Sequence, residues 1–312
     1  MSSRSLGGGG LLPPAVTVAL LAVLALAVAL GLGACGGEPT VVVEPSVTGT
    51  APPEVKAWAG ILVERDSGAV LWSKDPDREL PPASCTKIMT ALLTLERVKD
   101  LDAMATVPEI PLPQTVAVDL VPGDRISVRE ALTALMVKSA NDAALTLASY
   151  VAGSERKFTR IMNQRGAQLG LTHTHFMNCR GTPVDGHYSS ARDLAALGRV
   201  AMRDATFREL VRTKKAVIRY PPDGAVPVEN HNRLLDYPWG DGIKTGATDV
   251  SGKVLVGSGK PGPVALIVVT MHEPTRDQEV EDAVALFEWG TAEYLRRSAA
   301  SKAPSSSASP SP

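Results

Sequence analysis

Apolar residues fall along this chain in two rhythms, and their order already outlines an architecture. Trp58 to Glu64 and Ala69 to Ser73 are short, β-branched-rich apolar runs separated by Arg65-Asp66-Ser67-Gly68, the turn chemistry of a hairpin. Helical spacing follows in Ser84 to Val98, Ser127 to Val137, Asn141 to Val151 and Ser190 to Met202, so that roughly Ser127 to Val211 reads as an α-rich block. Pro81-Pro82-Ala83 suits a helix approach and sets Ser84 at an N-terminal end, while Ser127-Val-Arg-Glu130 has capping-box spacing. After Tyr220 strands return, at Gly242 to Thr248, Lys253 to Ser258 and Val264 to Met271. A closing helix from about Asp277 to Arg296 carries Val280, Val284, Phe287 and Tyr294 on one broad face. Strands, helices, strands and helix in that order predict an α+β fold: an antiparallel sheet built from both chain ends, an inserted helical block, and a cleft between them.

Outside this body the pattern changes. An almost uncharged apolar run, Leu11 to Ala34, reads as an export signal or membrane anchor. It ends in Leu32-Gly33-Ala34-Cys35-Gly36-Gly37, which resembles the lipobox of bacterial lipoproteins and marks Cys35 as a lipidation candidate; an uncleaved helical anchor and simple secretion are the alternatives. The chain is thus expected to divide into a leader at 1–35, a Pro/Thr/Val/Gly-rich spacer at 36–54, a single folded domain at 55–298 and a disordered Ser/Ala/Pro tail at 299–312. The body is expected outside the cytoplasmic membrane, attached through an N-terminal lipid or helix.

Composition narrows the function. Hydrophobic residues make up 44% and charged residues 21%, with a formal net charge of -1, so no basic excess points to a nucleic-acid partner. Aromatic content of 4% offers no stacking platform for nucleic acid or sugar. Of three cysteines, Cys85 and Cys179 remain once Cys35 is set aside, and in an oxidising compartment they could pair or stay as buried thiols.

Three short motifs carry candidate chemistry. Ser84-Cys85-Thr86-Lys87 is a Ser-x-x-Lys at a predicted helix start, where spacing of three puts amine and hydroxyl on one face. Alone it is weak: Ser154 and Lys157 repeat it, and a serine in that place is more often a helix cap. Ser139-Ala140-Asn141 falls between two predicted helices, and Lys244-Thr245-Gly246 on a predicted strand, where lysine and hydroxyl can hold a carboxylate and glycine admits a substrate backbone. His173 and His175, at alternate positions with no companion ligands, read as ordinary polar contacts rather than a metal site.

Together, in this order, the three motifs resemble those of penicillin-binding proteins and related β-lactamases. The wording around them, including His231-Asn232-Arg233-Leu234-Leu235, closely resembles the low-molecular-weight D-alanyl-D-alanine carboxypeptidases, serine peptidases of the S11 type, from about residue 55 to about 297. The resemblance implies a β-lactamase/transpeptidase-like fold and removal of the terminal D-alanine from peptidoglycan stem peptides, with β-lactam antibiotics as inhibitors and no metal or cofactor. It implies that Ser84 is the nucleophile, Lys87 its base and Ser139 a proton relay. It further implies that Asn141 holds the substrate amide, that Lys244 and Thr245 bind the terminal carboxylate beside Gly246, and that the N–H groups of Ser84 and Ala247 form an oxyanion hole. For Lys87 to act as a base its amine must be neutral near pH 7, which burial and the charge of Lys244 would favour.

The chain departs from the family at Cys85 and at Asn178-Cys179-Arg180-Gly181-Thr182, and two unusual cysteines together hint at pairing. Rival expectations are a class A-like β-lactamase, against which stand Ser-Ala-Asn in place of Ser-Asp-Asn and the lack of a Glu-x-x-x-Asn-like element, and an idle peptidoglycan-binding lipoprotein. Transpeptidation or crosslink cleavage would use the same residues.

Overall fold

The computed structural model describes residues 51–111 and 116–302, so the leader, Cys35, most of the spacer and the last ten residues lie outside the described residues. In chain order the elements are β1 (Ala59–Glu64), β2 (Val70–Lys74), α1 (Lys87–Arg97), β3 (Met104–Thr106), β4 (Arg125–Ser127), α2 (Val128–Thr133), α3 (Asn141–Ala152), α4 (Glu155–Gln168), α5 (Ala191–Ala201), α6 (Ala205–Arg212), β5 (Lys215–Tyr220), β6 (Gly224–Glu229), β7 (Gly240–Thr248), β8 (Gly252–Gly259), β9 (Leu266–Glu273) and α7 (Arg276–Lys302).

Five strands form one sheet in the order β2-β1-β9-β8-β7, antiparallel throughout, which joins the N-terminal hairpin to the three C-terminal strands as expected. Its strands alternate. Ile61, Val63, Val254, Val256, Ile267 and Val269 point into a core shared with α1, α3 and α5. Leu62, Leu255, Leu266 and Val268 point the other way, onto Leu286 and Phe287 of α7. Burying a side chain such as Phe287 contributes about 1.5–3 kcal/mol, so this sheet is held from both faces. β7 is an outer strand of the sheet and faces the helical block.

Serine caps delimit the block. Ser127 accepts from the N–H of Glu130 at 3.1 Å, and Ser190 accepts from that of Asp193 at 3.2 Å. Ser154 accepts from the N–H of Lys157 at 3.3 Å, so the second Ser-x-x-Lys is a helix cap and nothing more.

Some elements escape the sequence reading. Within the α-rich block, α4 buries only Phe158, Thr159, Met162 and Gly166, too narrow a stripe to stand out from its polar surroundings. The β5–β6 hairpin alternates weakly because much of it is exposed. The segment predicted as one helix over Ser127–Val137 changes to a π-helical turn at Ala134–Lys138, which ends at Ser139 with φ 69°. The closing helix runs to Lys302, so Ala299–Lys302 are helical rather than tail, consistent with alanine's high helix propensity.

Candidate active site

Ser84 sits in a single 3-10 turn, Ala83–Thr86, that runs directly into α1 at Lys87. Pro82 precedes the turn, and Ala83 adopts φ 46°. Two glycines let other segments close on this turn. Gly181 has φ 84°, and a Cβ there would stand 1.8 Å from the carbonyl oxygen of Ala83. Gly246 on β7 faces the same turn, where a Cβ would lie 2.8 Å from Ala83 Cβ and 2.9 Å from Ser84 N. The sequence reading gave that glycine's gap to a substrate backbone, whereas the missing side chain clears room for the nucleophile turn itself.

Lys87 is fully buried, and its Nζ meets three oxygens: Ser84 Oγ at 3.0 Å, Asn141 Oδ1 at 2.8 Å and the main-chain oxygen of Arg180 at 2.6 Å. Burial is the largest influence on its amine and the positive charge of Lys244 the next, and together they hold its pKa well below the ordinary lysine range. A neutral amine has two N–H groups and one lone pair. The carbonyl oxygens of Asn141 and Arg180 can only accept, so they take both N–H groups, and the lone pair is left facing Ser84, whose hydroxyl can donate to it. The arrangement can therefore receive a proton from that hydroxyl and return it.

The Arg180 oxygen is placed by a loop folded around one side chain. Asn178 Oδ1 accepts from the N–H groups of Arg180, Gly181 and Thr182 at 3.1, 2.7 and 3.2 Å, and its Nδ2 donates to Thr182 O at 2.9 Å. A main-chain acceptor leaves no trace in sequence. The Asn-x-x-Gly pattern of Asn178 and Gly181 was the available signal for such a turn.

Asn141 reaches Lys87 from the first turn of α3. Just ahead of it, Ser139 is buried in the left-handed region, and its Oγ has no hydrogen-bond partner among the described residues. Asp142 anchors the preceding loop, accepting from the N–H groups of Val118 and Leu120 at 3.0 and 3.1 Å.

From β7, Lys244 is 4% exposed and Thr245 6%, while Ala247 is exposed. Burial brings the Lys244 amine down to about 8, and its Nζ donates to Thr245 O at 3.1 Å. Behind the strand, Arg276 donates to Gly246 O at 3.1 Å and to both oxygens of Glu279 at 2.7 Å. Sequence reasoning missed that pair, because an Arg-x-x-Glu on a helix is a common surface pattern.

Cys85 and Cys179 do not pair. Both are free buried thiols with different neighbours: Cys85 Sγ donates towards Lys244 O at 3.5 Å and Val254 O at 3.7 Å, and Cys179 Sγ towards Glu155 Oε1 at 3.1 Å. One lies under the sheet and the other against α4, so no bond joins them. His173 Nδ1 lies 3.5 Å from Glu79, and His175 Nδ1 bonds Gly186 O at 2.8 Å, ordinary polar contacts for both. His187 is positional: its Nδ1 accepts from Met177 N at 3.1 Å, so Nε2 carries the proton and donates to Thr86 Oγ1 at 2.8 Å. Burial lowers its pKa to about 4 and keeps it neutral.

This geometry can be set beside known proteins. The Peptidase_S11 family, described as D-alanyl-D-alanine carboxypeptidase, matches residues 46–275. The D-alanyl-D-alanine carboxypeptidase DacF of Bacillus subtilis is 32% identical over 77% of this chain and 63% of its own length. DacC of Escherichia coli is 35% identical over 76% of this chain and 62% of its own. The chain therefore spans less than two thirds of the length of these relatives. Among solved structures, the Streptomyces K15 DD-transpeptidase superposes with a TM-score of 0.73 at 28% identity, over 78% of this chain and 100% of that one.

Proposed function

This chain belongs to the D-alanyl-D-alanine carboxypeptidase family, and we propose that it removes the terminal D-alanine from peptidoglycan stem peptides through an acyl-enzyme on Ser84. The observation that carries the proposal is the 3.0 Å contact between Ser84 Oγ and a buried Lys87 amine whose other two hydrogen-bonding directions end on pure acceptors.

In this reading Ser84 Oγ attacks the carbonyl between the last two D-alanines while its proton passes to Lys87 Nζ. The N–H groups of Ser84 and Ala247 hold the oxyanion. As the C–N bond breaks, the departing amine takes a proton from Lys87 through the hydroxyl of Ser139, and free D-alanine leaves. The unpartnered Ser139 Oγ supports that relay, since a buried hydroxyl without a partner costs about 1–3 kcal/mol unless a bound group supplies one. Water then attacks the ester, Lys87 takes its proton, and Ser84 Oγ recovers a proton as the shortened peptide departs. Lys244 and Thr245 grip the terminal carboxylate. Asn141 serves two purposes, its Oδ1 orienting Lys87 and its amide nitrogen facing the substrate backbone. A β-lactam would acylate the same oxygen.

The catalytic domain is assigned to residues 55–298, acting outside the cytoplasmic membrane, with the apolar run Leu11–Ala34 exporting the chain and a lipid on Cys35 retaining it at the membrane face. Among the described residues no helix is long and apolar enough to cross a membrane. Replacing Cys35 with Ala should abolish lipid labelling, and a label that persists would move the anchor elsewhere. The enzyme reading is tested by incubating the protein with a pentapeptide ending in D-Ala-D-Ala and assaying free D-alanine. Release that disappears in Ser84→Ala supports it, and release that survives the substitution rejects it.

A further inference from the structure

A hollow of about 430 Å³ lies where the start of β7 meets the end of α6 and the residue after β8, at the opposite end of β7 from Thr248. Arg212, Lys214 and Lys260 line it with a single carboxylate, Asp241, and Pro238 and Trp239 add an apolar wall. Both lysines are exposed. Lys260 makes no side-chain hydrogen bond or ion pair among the described residues, and Lys214 Nζ has only the exposed Asp236, at 3.9 Å.

Asp241 is held differently. Gly240 pairs with Gly259 and Gly242 with Ser258, so Asp241 is the extra residue of a β-bulge, a device that re-aims a side chain. The residue is 7% exposed. Its Oδ2 accepts from Arg65 at 2.7 Å and from Arg212 at 3.2 Å, whereas Oδ1 is buried and has no hydrogen-bond donor among the described residues. A buried acceptor left without a donor is unfavourable, so this oxygen calls for one.

The hollow therefore sets two conditions. Three cations against one carboxylate ask for negative charge, while Asp241 Oδ1 asks for a neutral O–H or N–H beside it. A cation would satisfy Asp241 and be repelled by its neighbours; a bare anion would satisfy the lysines and leave Asp241 unmet. We infer that this hollow binds a phosphate ester of a polyol, with the phosphate between Lys214 and Lys260 and an adjoining hydroxyl donating to Asp241 Oδ1. The carbon chain lies against Pro238 and Trp239. A phosphate monoester carries about −1.5 to −2 near pH 7, which matches the excess of positive charge. Asp241 stands three residues before Lys244, about 10 Å along the strand, and a peptide gripped at Lys244 extends the other way, towards Ala247. The site is thus separate from the chemistry at Ser84 and does not rest on it.

The test is a calorimetric titration of the full-length protein with α-glycerophosphate and with propyl phosphate, which has the charge but no hydroxyl. α-Glycerophosphate should bind tighter by about tenfold or more, the worth of a hydrogen bond to a charged group. Lys260→Glu, a change at an exposed side chain, should weaken it by about fivefold, the upper range for an exposed ion pair. Competition by vesicles distinguishes the source of the ester. Phosphatidylglycerol displacing α-glycerophosphate better than phosphatidylcholine assigns the site to a lipid headgroup, and equal competition assigns it to a soluble ester. Equal affinity for α-glycerophosphate and propyl phosphate, an affinity untouched by Lys260→Glu, or no saturable binding of either ester overturns the site.

Discussion

Lys87 Nζ lies 2.6 Å from the main-chain oxygen of Arg180, its shortest contact, and that oxygen belongs to a loop outside all three active-site motifs. It joins Asn141 in occupying the amine's N–H groups, and so decides that the remaining direction, towards Ser84, carries a lone pair.

Lys87→Met keeps the volume of a buried side chain and removes the amine. Acylation by a fluorescent penicillin should slow by about 10²–10⁴-fold, the usual contribution of a positioned base, with little loss of folded protein. Ser84→Ala should remove labelling altogether. The wild-type adduct should be long-lived on a gel, whereas rapid turnover would favour a β-lactamase.

The rate should depend on pH from both sides. Lys87 must be neutral to accept a proton, so acylation falls as pH drops through its depressed pKa. Lys244 must be charged to hold a carboxylate, so kcat/KM for peptide should fall as pH rises through about 8, mainly through KM. Lys244→Arg, whose guanidinium does not titrate there, should carry the alkaline limb upward. A profile flat from about pH 5 to 10, spanning the range expected of catalytic lysines, would contradict both roles.

Asn178→Ala removes one oxygen that accepts from three N–H groups. Leaving such donors unpaired costs about 1–3 kcal/mol, readable in denaturant unfolding. Because the Arg180 oxygen loses its support, acylation should fall by about tenfold or more, a loss of about 1.4 kcal/mol of transition-state stabilisation. Stability lost with an unchanged acylation rate would show that the loop does not set the lysine.

Gly181→Ala combines a positive φ with a contact on backbone that cannot swing aside. The expected destabilisation is about 3 kcal/mol or more, at the severe end for single substitutions. A midpoint within 1 °C of wild type in thermal unfolding would mean the loop and the nucleophile turn are not packed as described.

Glu273 is fully buried at the end of β9, its carboxyl oxygens have no hydrogen-bond donor among the described residues, and burial together with Asp282 raises its pKa to about 8. Its folded pKa exceeds the unfolded value, so its neutral form contributes stability below about pH 4.5, and that contribution is lost as pH rises through about 8. Glu273→Gln should therefore stabilise the protein by about 1–3 kcal/mol at pH 8.5 and hardly at pH 4. The difference between two denaturation curves at each pH decides it.

Much of this was readable from the chain because it is local. Short continuous apolar runs at Trp58–Glu64 and Val264–Met271, bounded by turn residues, mark strands, and the 3.6 spacing of Ser84–Val98 reports which side of a helix meets a core; both are properties of neighbours in sequence. Ser84 and Lys87 are three residues apart, so their meeting follows from helical geometry alone. The fold class followed from the order of these rhythms. By contrast, α4 was not delimited because its buried stripe is narrow, and the cysteine pairing failed because rarity at two positions carries no information about where their side chains point.

What required the folded chain was everything that depends on distant segments sharing a volume. The sequence could name Lys87, Asn141 and Lys244, yet the depressed basicity of Lys87 comes from burial and from charge brought in from residues far along the chain. The Arg180 oxygen, the Asn178 loop and the fit of Gly181 and Gly246 around one turn carry no motif, since main-chain atoms and absent side chains look the same in any sequence. Periodicity encodes the face a residue shows, and only packing decides what it meets there.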